Sequence, residues 1–300
     1  MKNCVVCGSN DVVIRNFGLI TCKSCRHVMS PLIAQPGVME LMDKAYFEEG
    51  YSERFDDVWN NFYEYLKAAK VHRYLGPYFP KKKVMEIGVG SGYLLNFLKT
   101  RGYKCVGLDL SSDVRESVNK RYGIEVLSSD IKDIEEKFDN IVLSHVLEHI
   151  SDPRAFLEHI KPRLTDDGVL YIAVPNGKGF SANFKFWPNY VPYHLSYFNK
   201  NSICRLLEDL GYKVDRLITR ETITSSQNLL LSAVFRNKEF DIIHPRFRDY
   251  SYRKHFLTRN ILNSVLHFIS NVFGFLIYPY RYVMGKFGLG DELIIVAKVK

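Results

Sequence analysis

Two cysteine pairs, a run of alternating glycines behind an acid, and three histidines are the residues of this chain whose types and spacing could do chemistry. Cys4-Val5-Val6-Cys7 and Cys22-Lys23-Ser24-Cys25 are C-x-x-C pairs. Two intervening residues let both thiolates of a pair reach one ion, and four thiolates complete a tetrahedral zinc shell. With Cys4, Cys7, Cys22 and Cys25 as ligands no coordination position stays open, so such a site is structural. About thirty residues bury little core, and the metal would then supply the folding free energy. Gly8 follows Cys7 and suits a tight knuckle turn. Redox or disulfide pairing is the other chemistry open to these thiols, and a reducing compartment disfavours it.

Val84-Met85-Glu86-Ile87-Gly88-Val89-Gly90-Ser91-Gly92 reads as a buried strand, an acid, and a glycine turn. Leu94, Leu95 and Leu98 then fall on one helical face. A strand-to-helix turn this rich in glycine lets a ligand lie against bare backbone at the open end of a parallel sheet. A dinucleotide fingerprint would read G-x-G-x-x-G, but here the third glycine comes one residue early and Tyr93 stands in its place. Lys104 to Leu108 reads as a second strand ending at Asp109, placed where a carboxylate can accept hydrogen bonds from both ribose hydroxyls. A third short strand, Ile124 to Val126, precedes Ser128-Ser129-Asp130. A fourth, Phe138 to Leu143, runs into Ser144-His145-Val146-Leu147-Glu148-His149-Ile150-Ser151-Asp152-Pro153.

The G-x-G-x-G spacing behind Glu86, Asp109 at the second strand's end, and the L-E-H-x-x-D-P string together resemble class I S-adenosylmethionine (SAM)-dependent methyltransferases. The string is similar to that of ubiquinone-pathway O-methyltransferases and many sugar-modifying enzymes. The resemblance covers residues 60 to 219 and the last ten. It implies SAM as cofactor, with Glu86, Gly88, Gly90, Gly92, Asp109, Asp130 and Ser144 around it. In that family an acid near Asp130 contacts the adenine amino group. A doubly wound fold binding another nucleotide is the competing interpretation.

A methyltransferase must align nucleophile, methyl and sulfur, and in some cases remove a proton. His145 and His149 lie just past the fourth strand, and His194 lies in the long loop from Pro175 to Phe198. His194-Leu195-Ser196-Tyr197-Phe198 resembles a loop of sugar-modifying methyltransferases, where a nearby His helps deprotonate the substrate. Their acid before that His is replaced here by Tyr193, which counts against C-methylation. His194 is the candidate general base or substrate binder, against a packing role that anchors the loop. In ubiquinone-pathway enzymes an E-x-x-E-H string has been linked to a divalent metal. His145 replaces its first glutamate, and an oxygen-preferring magnesium site would not favour that exchange. The alternative is that Leu147-Glu148-His149 shapes the pocket wall and caps the next helix.

The elements that must position these residues follow from periodicity. Val12–Arg15 and Leu19–Thr21 can pair between the cysteine pairs, and Pro31 to Pro36 reads as a linker. Tyr46 to Phe55 is aromatic and acidic; Trp59, Phe62, Leu66, Ala69 and Val71 have helical spacing up to Leu75. In the resembled family, helices ahead of the first strand often cover the SAM pocket. Asp166-Asp167-Gly168 supplies a turn before a fifth strand, Val169 to Val174. A helix from Ser202 to Leu210 stops at Gly211; strands from Val214 to Thr219 and Leu293 to Ala297 complete the domain, the last expected antiparallel. The expected fold is α/β, a doubly wound, Rossmann-like, seven-stranded mostly parallel sheet. The expected divisions are a zinc ribbon (1–30), a linker with N-terminal helices (31–80), a SAM-binding domain (81–219), a helical insert (220–290) and the final strand (291–300). Seventy residues in that insert are too many for a structureless loop.

An apolar fraction of 46% over 300 residues fits a globular chain with a sizeable core. The N-terminus has no apolar h-region, and the cysteines form no dense framework. Both point to a reduced, cytoplasmic chain. Cys105 and Cys204 read as small buried hydrophobes. The net charge of +8 invites a nucleic-acid reading, yet residues 220–300 hold twelve Lys/Arg against six Asp/Glu, so most of the excess lies away from the glycine turn. Between Arg259 and Arg281 there is no charged residue. Asn263, Ser264, His267, Asn271 and Gly274 fall on one helical face; Leu262, Leu266, Ile269, Val272, Phe273 and Leu276 fall on the other. Basic flanks, Arg281 among them, and Tyr278, Tyr280 and Tyr282 near one end suit peripheral membrane contact through residues 260–280. Packing on the domain or across a dimer is the alternative.

The reading is therefore methyl transfer to a small-molecule acceptor, a sugar or a lipid-linked saccharide. An RNA methyltransferase using the ribbon for nucleic-acid contact is the rival. Residues 144–153 lack the N-P-P-Y tetrad of nucleobase amino methylators, which disfavours it. A non-catalytic scaffold is a third reading, opposed by the intact Glu86, the three glycines and Asp109.

Overall fold

A computed structural model describes residues 3–15, 18–34, 58–76, 83–184, 187, 189, 193–220 and 261–300. Tyr46 to Phe55, the end of the Pro31–Pro36 linker and residues 221–260 of the insert lie outside the described residues, as do the side chains of Trp59 and Phe62. The chain forms two compact units, neither of them a continuous run. One comprises Met1–Val38, Val174–Ile203 and Ile218–Ile294; the other comprises Met39–Ala173, Cys204–Leu217 and Ile295–Lys300.

The first unit opens with strands β1 (Val12–Ile14), β2 (Ile20–Cys22) and β3 (Val28–Met29), paired antiparallel in chain order. A short strand from far along the chain, β9 (Ser196–Tyr197), completes this four-stranded sheet, with Val28 opposite Tyr197 and Met29 opposite Ser196. Leu19, Ala182, Trp187 and Tyr197 form the buried cluster beneath, with Val28 packed against it. Pro31–Ala34, expected as linker, is a 3-10 turn with Leu32 and Ile33 buried.

The second, larger sheet has the order β10-β11-β8-β7-β4-β5-β6. Its strands are β4 (Lys83–Ile87), β5 (Lys104–Leu108), β6 (Val126–Leu127), β7 (Phe138–Ser144), β8 (Leu164–Pro175), β10 (Tyr212–Arg220) and β11 (Glu292–Val299). The pairs β4–β5, β4–β7, β5–β6 and β7–β8 are parallel. Central parallel strands are covered on both faces, so they read as continuous apolar runs, and Val84, Met85, Ile141, Val142 and Leu143 are all buried. The chain runs outward from β4 through β5 to β6, then returns to β7 on the other side of β4. That reversal is the topological switch point, where open α/β sheets bind ligands at the carboxyl ends of the strands. The glycine turn follows β4 at this place.

The helices are set by their end signals. Helix α1 (Val58–Leu75) packs on α2 (Tyr93–Lys99), with Tyr65 edge-on to Phe97 at 5.6 Å. Ser111 caps α3 (Ser112–Tyr122) through Val114 N–H, and Gly123 ends it at φ 58°. Asp152 caps α4 (Pro153–Ile160) through Ala155 N–H, with proline in the first turn. The cap is therefore Asp152, not the Leu147-Glu148-His149 string expected to serve there; that string forms a separate 3-10 turn. Asn199 accepts from the N–H groups of Asn201 and Ser202 at the start of α5 (Lys200–Asp209).

The turn expected at Asp166-Asp167-Gly168 becomes an irregularity inside β8. Leu164 pairs with Phe138 and Val169 with Asn140, leaving the intervening residues looped out opposite Asp139. A Cβ on Gly168 would lie 2.8 Å from the Thr165 carbonyl oxygen, which explains the glycine. Cys105 and Cys204 are half-buried rather than buried. Burial pushes the Cys105 thiol up to about 12.

Helix α6 (Ile261–Met284) leads through a π turn (Gly285–Leu289) into β11. Periodicity left open which face turns inward, and the structure decides it: Gly274 of the polar face is buried, whereas Ile269, Val272 and Leu276 of the apolar face are exposed. Arg281, expected as an exposed basic flank, is buried: its guanidinium donates to Asp291 Oδ2 at 2.7 Å and to Ser181 Oγ at 2.6 Å. A buried ion pair of this kind sets which side of the helix turns inward.

Gly92 sits at φ 69°, and a Cβ there would lie 2.7 Å from Val118 Cγ2. Gly92→Ala should cost about 1–3 kcal/mol, read as a lower urea midpoint. Gly76→Ala, whose Cβ would meet nothing within 4 Å, should stay within about 0.5 kcal/mol of wild type.

Candidate functional site

The glycine turn is built for close approach. Gly88, Gly90 and Gly92 all adopt left-handed φ, at 73°, 52° and 69°. Left-handed φ disfavours any side chain, and a Cβ on Gly88 would also lie 2.5 Å from Val146 Cγ2.

Three carboxylates converge on this turn. Glu86, the fourth residue of β4, is buried. Burial first, then the charges of Glu64 and Asp109, push its carboxyl well above the usual range. Its Oε2 has no hydrogen-bond partner among the described residues. Asp109 follows β5 and is also buried; burial raises its pKa against the pull of the Ser111, Gly90 and Val89 N–H groups and of Arg115. Ser111 N–H donates to Asp109 Oδ1 at 3.0 Å and Gly90 N–H to Oδ2 at 3.3 Å. Glu64, on α1, accepts from the Ser91 hydroxyl at 3.2 Å. Glu64 and Ser91 were not singled out from the sequence. The only signal for Glu64 was its place on the helix ahead of the first strand.

The remaining expected cofactor residues sit at two further strand ends. Ser144, the last residue of β7, is half-buried. Asp130 is exposed, accepts from Lys132 N–H at 3.1 Å and pairs with Lys132 Nζ at 3.4 Å. The Lys132 N–H is the main reason its carboxyl lies below the ordinary value.

His145 follows β7 with φ 57°, an uncommon conformation for a residue other than glycine. Its N–H donates to the Ala173 carbonyl, and its Nδ1 lies 3.4 Å from Glu148 Oε1. Glu148 is buried and His149 half-buried.

His194 belongs to the first unit and is buried. Its Nδ1 lies 2.8 Å from the Asn189 carbonyl oxygen. A carbonyl only accepts, so Nδ1 carries the hydrogen, and in the neutral ring Nε2 keeps a lone pair. Sequence reasoning offered no sign of this contact with Asn189. The segment after His194 is held by the cysteine ribbon. Ser30 N–H donates to the Leu195 carbonyl at 2.9 Å, His27 Nε2 lies 3.3 Å from Ser196 Oγ, and Asn199 Nδ2 donates to the Arg26 carbonyl at 2.7 Å. Burial lowers the His27 pKa to about 3, so that ring is neutral.

The ligand atoms of Cys4, Cys7, Cys22 and Cys25 all lie within 4.8 Å of one another, as one metal ion requires. Cys4 Sγ and Cys25 Sγ are 3.6 Å apart, as are Cys7 Sγ and Cys22 Sγ. The shared hydrogen bond with Cys25 lowers the Cys4 thiol to about 5 and raises that of Cys25. All four are free thiols.

Comparison with known proteins gives this geometry its context. A family model described as a methyltransferase domain matches residues 59–217, more than half of the chain. An uncharacterized methyltransferase of Staphylococcus carnosus is 29% identical over 195 residues, 63% of this chain and 86% of that protein. A ubiquinone biosynthesis O-methyltransferase of Actinobacillus pleuropneumoniae is 32% identical over 108 residues, 32% of this chain and 46% of that one. In fold, the chain is similar to a solved SAM-dependent methyltransferase from Archaeoglobus fulgidus. The TM-score is 0.51 at 19% identity, covering 84% of this chain and 99% of that one. With its glycine turn at the switch point of the parallel sheet, the chain belongs to the methyltransferase-domain family and is a class I SAM-dependent methyltransferase.

Proposed function

We propose that this methyltransferase acts on a small-molecule acceptor, a sugar or a lipid-linked saccharide, with His194 as general base. We further propose that Cys4, Cys7, Cys22 and Cys25 hold a structural zinc ion. The observation that carries the cofactor site is the convergence of Glu64, Glu86 and Asp109 on bare glycine backbone. Such a lining repels a pyrophosphate and suits a ligand with an ammonium and a sulfonium. Oε2 of buried Glu86, which has no hydrogen-bond partner among the described residues, would accept from a cationic group.

SAM, when bound, supplies an electrophilic methyl group. Gly88, Gly90 and Gly92 let it approach the backbone. A carboxylate accepts about four hydrogen bonds, and beyond those from the neighbouring N–H groups Asp109 would have capacity left for the ribose. Asp130, beyond β6, would lie on the adenine side, and Ser144, at the end of β7 across β4, would line the opposite side of the cofactor. His194 Nε2 would take the proton of the acceptor hydroxyl as that oxygen bonds to the methyl carbon and the carbon–sulfur bond breaks, its electron pair leaving with a neutral thioether. His145, held beside Glu148, and neighbouring His149 are the secondary candidates for proton handling. The sugar reading rests on the likeness of the His194 loop to sugar-modifying enzymes.

Radiolabelled methyl transfer into a cell extract should label a small, extractable product. Asp109→Ala should abolish the label. His194→Gln should slow transfer about 100-fold to 10,000-fold without weakening cofactor binding. Label appearing only in RNA would overturn the acceptor assignment.

Glu86→Gln separates stability from binding. A carboxyl whose folded pKa lies above its unfolded value holds its proton longer in the folded state, so stability falls as pH rises from about 4.5 through the folded pKa. The variant should lose that slope and melt higher than wild type at pH 7 without ligand. Calorimetry should show SAM bound about 10-fold to 100-fold more weakly. Unchanged affinity would remove Glu86 from the cofactor site.

The metal reading predicts about one zinc per chain by elemental analysis, following the four-thiolate stoichiometry. Chelation should release hydrogen-exchange protection at Ser30 and at the β3–β9 pairing while the amides of β4 and β7 stay protected. Protection unchanged on metal removal would refute a structural role.

A further inference from the structure

Beyond methyl transfer, we infer that α6 is a docking surface for an anionic lipid bilayer, lying in the plane of the headgroups. Its exposed face is apolar. Ile269, Val272, Leu276, Tyr280 and Val283 follow one another at three- and four-residue steps and are all exposed. Within this stripe Leu276 is 74% exposed, and beside it Phe275 is 69% exposed, the degree found for solvent-facing charged residues rather than packed apolar ones. The inward side carries buried Gly274 and Arg281 beside half-buried Phe273, Ile277 and Met284, and the Arg281–Asp291–Ser181 contacts fix it there. A continuous apolar stripe turned outward marks an interaction site, unlike scattered surface leucines.

The charge pattern selects the occupant. Residues 246–290 hold seven Lys/Arg and one Asp. Arg281 is neutralised inside, but Lys286 is exposed, with its Nζ 5.1 Å from the Tyr282 ring centre. A two-fold contact between copies would set this basic region against itself, whereas an anionic bilayer complements it. Tyr278, Tyr280 and Tyr282 crowd the C-terminal end of the helix, the residue type that headgroup regions favour. Among the described residues no helix is long and apolar enough to cross a membrane. An in-plane helix with an apolar face and a basic flanking sequence fits these facts.

The test uses the full chain and co-sedimentation with vesicles of phosphatidylcholine, alone or mixed with phosphatidylglycerol. Wild type should pellet with the mixed vesicles at low salt, much less with phosphatidylcholine alone, and less as salt rises. Phe275→Glu and Leu276→Glu sit at exposed positions and should leave SAM binding intact while lowering vesicle partitioning about tenfold or more. Phe273 on the same helix is half-buried, and its substitution would disturb packing. No pelleting with either vesicle would overturn the inference, as would pelleting that both variants leave unchanged. A wild-type dimer by light scattering that Leu276→Glu converts to monomer, without vesicle binding, would assign the face to a second copy instead. SAM binding is measured separately, so failure of the membrane inference and failure of the methyltransfer assignment are distinguishable.

Discussion

A carboxylate is buried at the end of the central strand. Glu86 ends inside the protein, beside two other acids and with one oxygen unpartnered among the described residues. Leaving such a group in place costs folding free energy, since burial and like charge both oppose ionisation. The parallel sheet meets that cost. Val84, Met85, Ile141, Val142 and Leu143 are sealed on both faces of β4 and β7, which fixes where β4 ends and the glycine turn begins. The switch in strand order, the left-handed glycines and the hydrogen bond that Gly90 N–H donates to Asp109 all take their positions from that strand end. Destabilisation held locally and offset elsewhere is a recurrent property of functional sites.

The other unit follows a different economy. Its sheet has strands of two and three residues, too short to stand alone. The clustered cysteines lie at one end of it, and Trp187, Tyr197 and Leu19 are buried beneath. His194 is held by its own ring nitrogen on one side and by the ribbon's pairing with the next three residues on the other. A histidine in such a setting has a defined tautomer, which a solvent-exposed one lacks.

The parts legible in the sequence were those with strong punctuation. Central strands announced themselves as apolar runs ended by acids or glycines, and β4, β5, β7 and β8 were located within a few residues. β6 was placed one or two residues early, because a two-residue strand offers too little pattern to fix its ends. The cysteine pairs were legible because C-x-x-C spacing is itself geometric. β9 was not, since Ser196 and Tyr197 carry no period and their partner strand lies some 170 residues away in sequence, as the 169-residue separation of the His27–Ser196 contact shows. Helix α6 showed two faces by periodicity, but periodicity does not say which one turns inward. A single buried pair between Arg281 and Asp291 decided that, and the distance along the chain to Ser181 hid it. Glu64 escaped notice because a lone acid on a helix is ordinarily a solvated one.

Asn199 carries a consequence of its own. One side chain closes the start of α5 and grips the carbonyl of Arg26, the residue just past the second cysteine pair. β3 meanwhile takes β9 as its outer neighbour. The ribbon is therefore not a detachable module that could be shuffled between proteins by a cut near residue 30. Such a cut would strip β3 of its neighbour and leave an open sheet edge, a ready template for aggregation. Ribbon and loop make one heritable piece, and descent should have carried them together or lost them together.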